Sequence, residues 1–253
     1  MKFALYKGER VEAEANIQGA VCQVCKAEVI AKCGDIKIHH WAHKSKKKCD
    51  HWWENETQWH RDWKNQFPDD WQEIEHTSKT GEKHRADIKT PKGLVVEFQH
   101  SPIDKDELST RNTFYENIVW VVDGTRRKYD ERNFEEEIEF SKELKRMDLG
   151  NSSLLIEWSG IQKPVFFDFG KPLLWAISDG WVFEFDKYDF IESVKMGGDG
   201  KTLLHLLKEK VKNLSVKERQ KEKHIADLRK RQQGRAWFGI NNQVTKGYRR
   251  RKF

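Results

Sequence analysis

The sequence predicts an α/β fold, a mixed sheet flanked by helices, with a small metal-stapled element before it and a β-rich region and a basic helix after it. Three observations predict this. Residues 51–124 read as helix, strand, strand, strand, helix, strand. All four cysteines fall between Cys22 and Cys49, a clustering that favours a metal over disulfides in a reducing compartment. From Lys201 to Phe253 there are 17 Lys and Arg against four Asp and Glu, a net +13, so the first 200 residues carry −7.

Bulk properties narrow the function classes. The 253 residues are 37% hydrophobic and 35% charged, enough length for a core or two. No run approaches the ~18 apolar residues of a membrane helix, and Met1 to Arg10 lacks the apolar stretch of a signal peptide, so no membrane role and a cytoplasmic location are expected. A basic tail on an acidic body suits a polyanionic partner, because each phosphate contact releases counterions.

Residues 1–50 form the predicted zinc-binding element. Cys22-Gln23-Val24-Cys25 is followed 14 residues later by His40-Trp41-Ala42-His43. Cys22, Cys25, His40 and His43 then fit a tetrahedral, structural Zn²⁺ site, with His39, Cys33, Cys49 and His51 near enough to replace one member. Glu28–Lys32 and Ile36–His39 read as a hairpin turned at Gly34-Asp35, returning the second pair to the first. A metal would supply folding energy that so short a segment cannot obtain from a core.

Residues 51–124 carry the predicted catalytic core. Glu54 to Lys64 reads as a helix with Glu56, His60 and Lys64 on one face and Trp59, Trp63 and Phe67 on the other. Trp71–His76 is the first strand. Arg85-Ala86-Asp87-Ile88-Lys89 and Val95-Val96-Glu97-Phe98-Gln99 follow, joined by a turn at Thr90-Pro91-Lys92-Gly93. Folding that hairpin sets Asp87 across from Glu97, with Gln99 on the same face as Glu97. Two carboxylates so placed favour Mg²⁺ or Mn²⁺ over zinc. Ser101 is expected to cap a helix over Asp104–Tyr115, opened by Pro102, and Ile118–Val122 is a buried strand.

Residues 125–200 begin with a charged, helical Arg126–Arg146. Leu154–Ile156, Val165–Phe167 and Trp181–Phe183 then read as an antiparallel meander. Residues 201–253 form a basic helix expected to run to about Gln233 and end at Gly234. Arg249, Arg250, Arg251 and Lys252 are candidates for nucleic-acid backbone contact. The eleven tryptophans, five of them between Trp41 and Trp63, are read mainly as packing, with base stacking the alternative.

These residues resemble the CoiA-like competence proteins. Arg85-Ala86-Asp87-Ile88, Val96 to Ser101, Arg111, Tyr115 and Trp120-Val121-Val122 are similar to their nuclease domain. Glu56-Thr57, His60 and Lys64 resemble an "ESxxHxxxK" helix, with Thr57 in the serine place. Cys22/Cys25 and His40-Trp41-Ala42-His43 resemble a "CxxC…HFAH" element. The resemblance spans about residues 20–124. It implies a PD-(D/E)XK, restriction-endonuclease-like core acting on DNA in the processing of foreign DNA. One or two Mg²⁺ or Mn²⁺ ions would lie at Asp87 and Glu97, supported by Glu56, with Gln99 in the place usually held by lysine and orienting the attacking water. His60, Lys64 and His84 would contact phosphate or the leaving oxygen, with Arg85 and Ser101 as further supporting residues. The neutral Gln99 keeps an alternative open: a catalytically silent DNA-binding accessory protein in competence or recombination, or a phage-defence component, acting with recombination or defence proteins.

Overall fold

The computed structural model of the chain describes residues 1–45, 49, 50, 52, 56–79, 81–141 and 152–248. It divides into two units, Met1–Leu206 and Leu207–Phe253. The N-terminal part holds two small ladders, β1 (Phe3–Tyr6) with β2 (Glu9–Glu12) and β3 (Val29–Lys32) with β4 (His40–His43). Bridges from Val21 to Leu5 and to Glu28 tie them together, over a core of Ala4, Ala20, Cys22, Val29 and Trp41. The second hairpin strand starts at His40, beyond the expected Ile36–His39. Ile36 is 98% exposed and buries nothing there.

Helix α1 (Gln58–Lys64) starts later than the expected Glu54, because Thr57 caps it. The Thr57 hydroxyl accepts from the His60 backbone N–H, and the His60 ring accepts from the Thr57 N–H. Glu56 therefore stands in the approach to the helix. A 3₁₀ turn at Asp69–Trp71 takes up Trp71, and β5 (Gln72–Thr77), β6 (Lys83–Lys89) and β7 (Val95–Gln99) follow. Helix α2 (Lys105–Phe114) then leads to β8 (Ile118–Asp123). The cap of α2 is Asp104, not Ser101: its carboxylate accepts from Asp106 N and Glu107 N, and a negative charge also suits a helix N-terminus. The Ser101 carbonyl instead accepts from Gln99 Nε2 and Arg126.

The remaining elements are α3 (Asp130–Ser141), α4 (Ser153–Trp158), β9 (Val165–Asp168), β10 (Leu173–Ser178), β11 (Trp181–Asp186), α5 (Lys187–Gly197) and α6 (Lys201–Tyr248). Leu154–Ile156 is helix, not strand. Leu154, Leu155 and Trp158 are buried while Ile156 is 44% exposed, a helical spacing that three residues read alone do not reveal. Helix α6 continues past Gly234, where a glycine costs only about 1 kcal/mol against alanine. Arg249, Arg250, Arg251 and Lys252 lie outside the described residues. No described helix is long and apolar enough to cross a membrane.

One seven-stranded mixed sheet runs β11-β10-β9-β8-β7-β6-β5. Strands β7, β8 and β9 are parallel, and each outer pair is antiparallel. The expected meander is present as β9–β11, but it extends the same sheet as the acidic hairpin. Strands β7 and β8 are buried at every residue, as central parallel strands covered on both faces should be. That burial puts Glu97 inside the protein.

Candidate active site and metal centre

The ladder between β6 and β7 pairs Ile88 with Val96 and Lys89 with Val95. Beyond it, side chains take over from backbone. Asp87 N donates to Glu97 Oε1 at 3.2 Å, and Phe98 N donates to Asp87 Oδ2 at 3.1 Å. On the other side, β5 pairs Gln72 with Ile88 and Ile74 with Ala86. Glu73 between them has φ +50°, a left-handed conformation that costs a non-glycine residue about 1–3 kcal/mol. The register thus lines up Glu73, Asp87 and Glu97 across three strands.

These acids face a cavity of about 50 Å³ lined also by Asp50, Trp52, Glu56, His60, Lys64, Arg85 and Arg111. That is room for an ion with a water or two, not for a nucleotide. One end is neutralised by a lysine. Lys64 Nζ lies 2.5 Å from Glu56 Oε1 and 2.9 Å from Glu73 Oε1, all three side chains being buried. Arg61 adds a second contact to Glu56. Burial opposes ionisation of Glu56, yet Lys64 and the Arg61 hydrogen bond hold its carboxyl down at about 2. Glu73 is likewise held well below the usual carboxylate range, against burial, by Lys64 and Arg85.

The other end is only partly neutralised. Burial first, and the Asp87 charge second, push the Glu97 carboxyl up to about 8, against Arg111 at 3.3 Å. Arg111 is shared: it also donates to Trp52 O at 2.7 Å and to Glu107 at 2.5 Å. A buried carboxyl pushed up beside a second carboxylate favours a proton or a cation between them, and hard oxygen donors suit Mg²⁺ or Mn²⁺.

The cavity accounts for Asp87, Glu97, Glu56, His60, Lys64 and Arg85, but not for Gln99, His84 or Ser101. His60 Nε2 lies 3.0 Å from Phe98 O and its Nδ1 2.9 Å from Thr57 Oγ1, so the ring bridges helix to strand. Gln99 donates to Ser101 O, while its buried Oε1 has no partner among the described residues. His84 is instead stacked on Trp52 at 3.3 Å between ring centroids and paired with Asp50 and Glu82, each at 2.9 Å. Burial works against Asp50, but His84 and the Arg85 and Trp52 N–H groups hold its carboxyl at about 2. Glu73, Asp50 and Arg111 were missing from the sequence-derived assignments. Arg111 appeared in the resemblance without a role. Nothing local separates Glu73 from Glu75 two residues on, and Asp50 reads as one more charge beside Cys49.

The second cluster is Cys22, Cys25, His43 and Cys49, whose ligand atoms lie within 4.8 Å of one another. Cys22 Sγ and Cys49 Sγ are 3.8 Å apart and Cys25 Sγ and His43 Nε2 3.3 Å, close to the ~3.7 Å edge of a tetrahedron with ~2.3 Å Zn–S bonds. Burial and the Cys22 sulfur push the Cys49 thiol up to about 12, so the set resists ionising all its thiols without a cation. Three sulfurs and one imidazole are compatible with structural zinc. The expected His40 is replaced by Cys49. His40 and His43 are three apart in a strand, so they point to opposite faces, and His40 Nδ1 bonds Ile38 O instead.

Two family models match the chain: competence protein CoiA, N-terminal domain, over residues 6–51, and competence protein CoiA, nuclease-like domain, over residues 62–163. The first contains all four cluster ligands. The second contains Lys64, Glu73, Asp87, Glu97 and Arg111. No curated protein and no solved structure matches the chain.

Proposed function

As a member of the CoiA-like competence protein family, this chain is, we propose, a Mg²⁺- or Mn²⁺-dependent DNA nuclease that hydrolyses phosphodiester bonds. The observation that carries the reading is the adjacent pair Asp87–Glu97, only partly neutralised by Arg111, in a cavity of ion size. Asp87 and Glu97 would hold the ion, which supplies Lewis-acid polarisation of the phosphodiester.

The chain's own residues do the rest. Lys64 brings a positive charge into the cavity from α1, whereas the family resemblance implies one at the place Gln99 holds. Its ammonium, kept protonated between Glu56 and Glu73, offsets charge that develops on the phosphate. Gln99 does not line the cavity; by donating to Ser101 O it fixes the end of β7 beside Glu97. His60 holds Phe98 O, and with it the end of β7, against α1. Zinc at Cys22, Cys25, His43 and Cys49 would keep the N-terminal element folded.

Plasmid cleavage with Mn²⁺ or Mg²⁺ tests this, wild type beside Asp87→Ala and Glu97→Ala. Cleavage lost in both variants supports the enzyme. DNA binding without cleavage under either ion sinks it and leaves a silent accessory protein.

A further inference from the structure

We propose that Glu73 is the positioning residue for Lys64, and that the cysteine-clustered N-terminal element supplies the backbone N–H groups that hold Glu73 in place; this rests on reading the cavity as the nuclease site. The element then completes the active site and is more than an appendage to it.

Glu73 connects three parts of the chain. Its Oε1 accepts from Lys2 N at 2.7 Å and faces Lys64 Nζ at 2.9 Å, and its Oε2 accepts from Phe3 N at 3.2 Å. The backbone turns into the left-handed region at this one position of β5, which leaves the ladder where Asp87 would face it. A buried acid on a strained backbone is poor economy for stability alone, since apolar residues fill such space at less cost. It makes sense if a second carboxylate must meet Lys64 besides Glu56.

What fixes Lys2 and Phe3 is the N-terminal element. Lys2 Nζ donates to Asn65 Oδ1, the C-cap residue of α1, at 2.8 Å, and to Gln72 Oε1, beside Glu73, at 2.9 Å. Strand β1 is bridged at Leu5 to Val21, next to Cys22, and Met1 O accepts from Trp41 N, two residues before His43. The last ligand makes a second link. Cys49 is followed by Asp50, whose carboxylate accepts from Arg85 N and Trp52 N, each at 3.0 Å, on the cavity wall. Closing the cluster therefore sets both walls.

The test is Glu73→Gln in the full chain, read three ways. With plasmid and Mn²⁺, kcat should fall at least about tenfold while KM changes less than about threefold. Competitive acetylation read by mass spectrometry should find Lys64 protected in wild type. It should be reactive in Glu73→Gln and in zinc-free Cys25→Ser. The double variant Lys64→Met, Glu73→Gln should be no slower than Lys64→Met alone, because a residue acting through Lys64 has nothing left to position. A Glu73→Gln protein within about twofold of wild-type kcat, with Lys64 still protected, overturns the proposal. So does a double variant clearly slower than Lys64→Met. Should Glu73→Gln not fold, the double variant, which has neither charge of that pair, decides alone. A wild type that never cleaves sinks the nuclease reading instead, and the acetylation pattern still decides this one.

Discussion

The two ends of one cavity treat their carboxylates in opposite ways. Glu56 and Glu97 are both buried, yet one is held at about 2 and the other is pushed up to about 8. The difference lies in company. Glu56 meets Lys64 and Arg61, whereas Glu97 meets Asp87 and an arginine already engaged elsewhere. A protein that wanted stability alone would neutralise both ends. Leaving one only partly neutralised costs free energy in the metal-free state and would favour a cation there. The same logic separates this cavity from the cysteine cluster, whose four soft ligands close on themselves and leave no open position.

The largest effect should come from removing the pair Asp87–Glu97. Asp87→Asn and Glu97→Gln should each lower plasmid cleavage about a thousandfold, the several kcal/mol of transition-state stabilisation that an ion contributes. Mn²⁺ should raise the Tm of the wild type and of neither variant. A variant that still cleaves at wild-type rate breaks the comparison outright.

At the neutralised end, Lys64→Met leaves Glu56 and Glu73 buried without their shared cation and should destabilise the fold by about 3–5 kcal/mol. Urea unfolding measures this. A loss under about 1 kcal/mol would mean that Arg61 and Arg85 suffice on their own.

The two acids should also give stability opposite pH dependences. Glu56 titrates at about 2 folded against 4.5 unfolded. Its contribution is complete above pH 4.5 and is lost as pH falls toward 2. Glu97 titrates at about 8 folded against 4.5 unfolded. Metal-free protein should therefore lose stability as pH rises from 4.5 to 8, and Glu97→Gln should abolish that decline. At pH 8 the variant should be the more stable by on the order of 4 kcal/mol, with no difference below pH 4.5. Melts across this range that show wild type no less stable at pH 8 contradict the assignment.

The smallest effect belongs to His40. His40→Ala should retain bound zinc and change stability by less than about 0.5 kcal/mol, while His43→Ala should lose the metal. Zinc content by elemental analysis separates the two.

Much of this arrangement was legible in the sequence. The β6–β7 hairpin could be read because a short turn sets register and the strand period then sets faces, so Asp87 and Glu97 could be placed opposite one another. Lys64 could be put near the acids from its spacing on α1. What was not legible depends on partners distant in sequence. Glu73 is one acid among several in β5 until Lys2 and Phe3, some 70 residues earlier, arrive to hold it. The choice of Cys49 over His40 follows from which side chains a four-residue strand sends to one face. Leu154–Ile156 shows the limit of short apolar runs, where only Ser152 before them marks a helix start.

The turn between β6 and β7 is as much a part of the chemistry as the acids. Thr90 N donates to Leu94 O and Gly93 N to Thr90 O, each at 2.9 Å, and Gly93 has φ +88°. Inserting or deleting one residue there would slide one arm of the hairpin past the other and invert every side chain on it. Asp87 would then face away from Glu97 although no functional residue had been altered. Descendants of this protein can drift in most loops, but a change of length at these few residues would part the two acids and turn buried residues such as Ala86 and Ile88 out of the core.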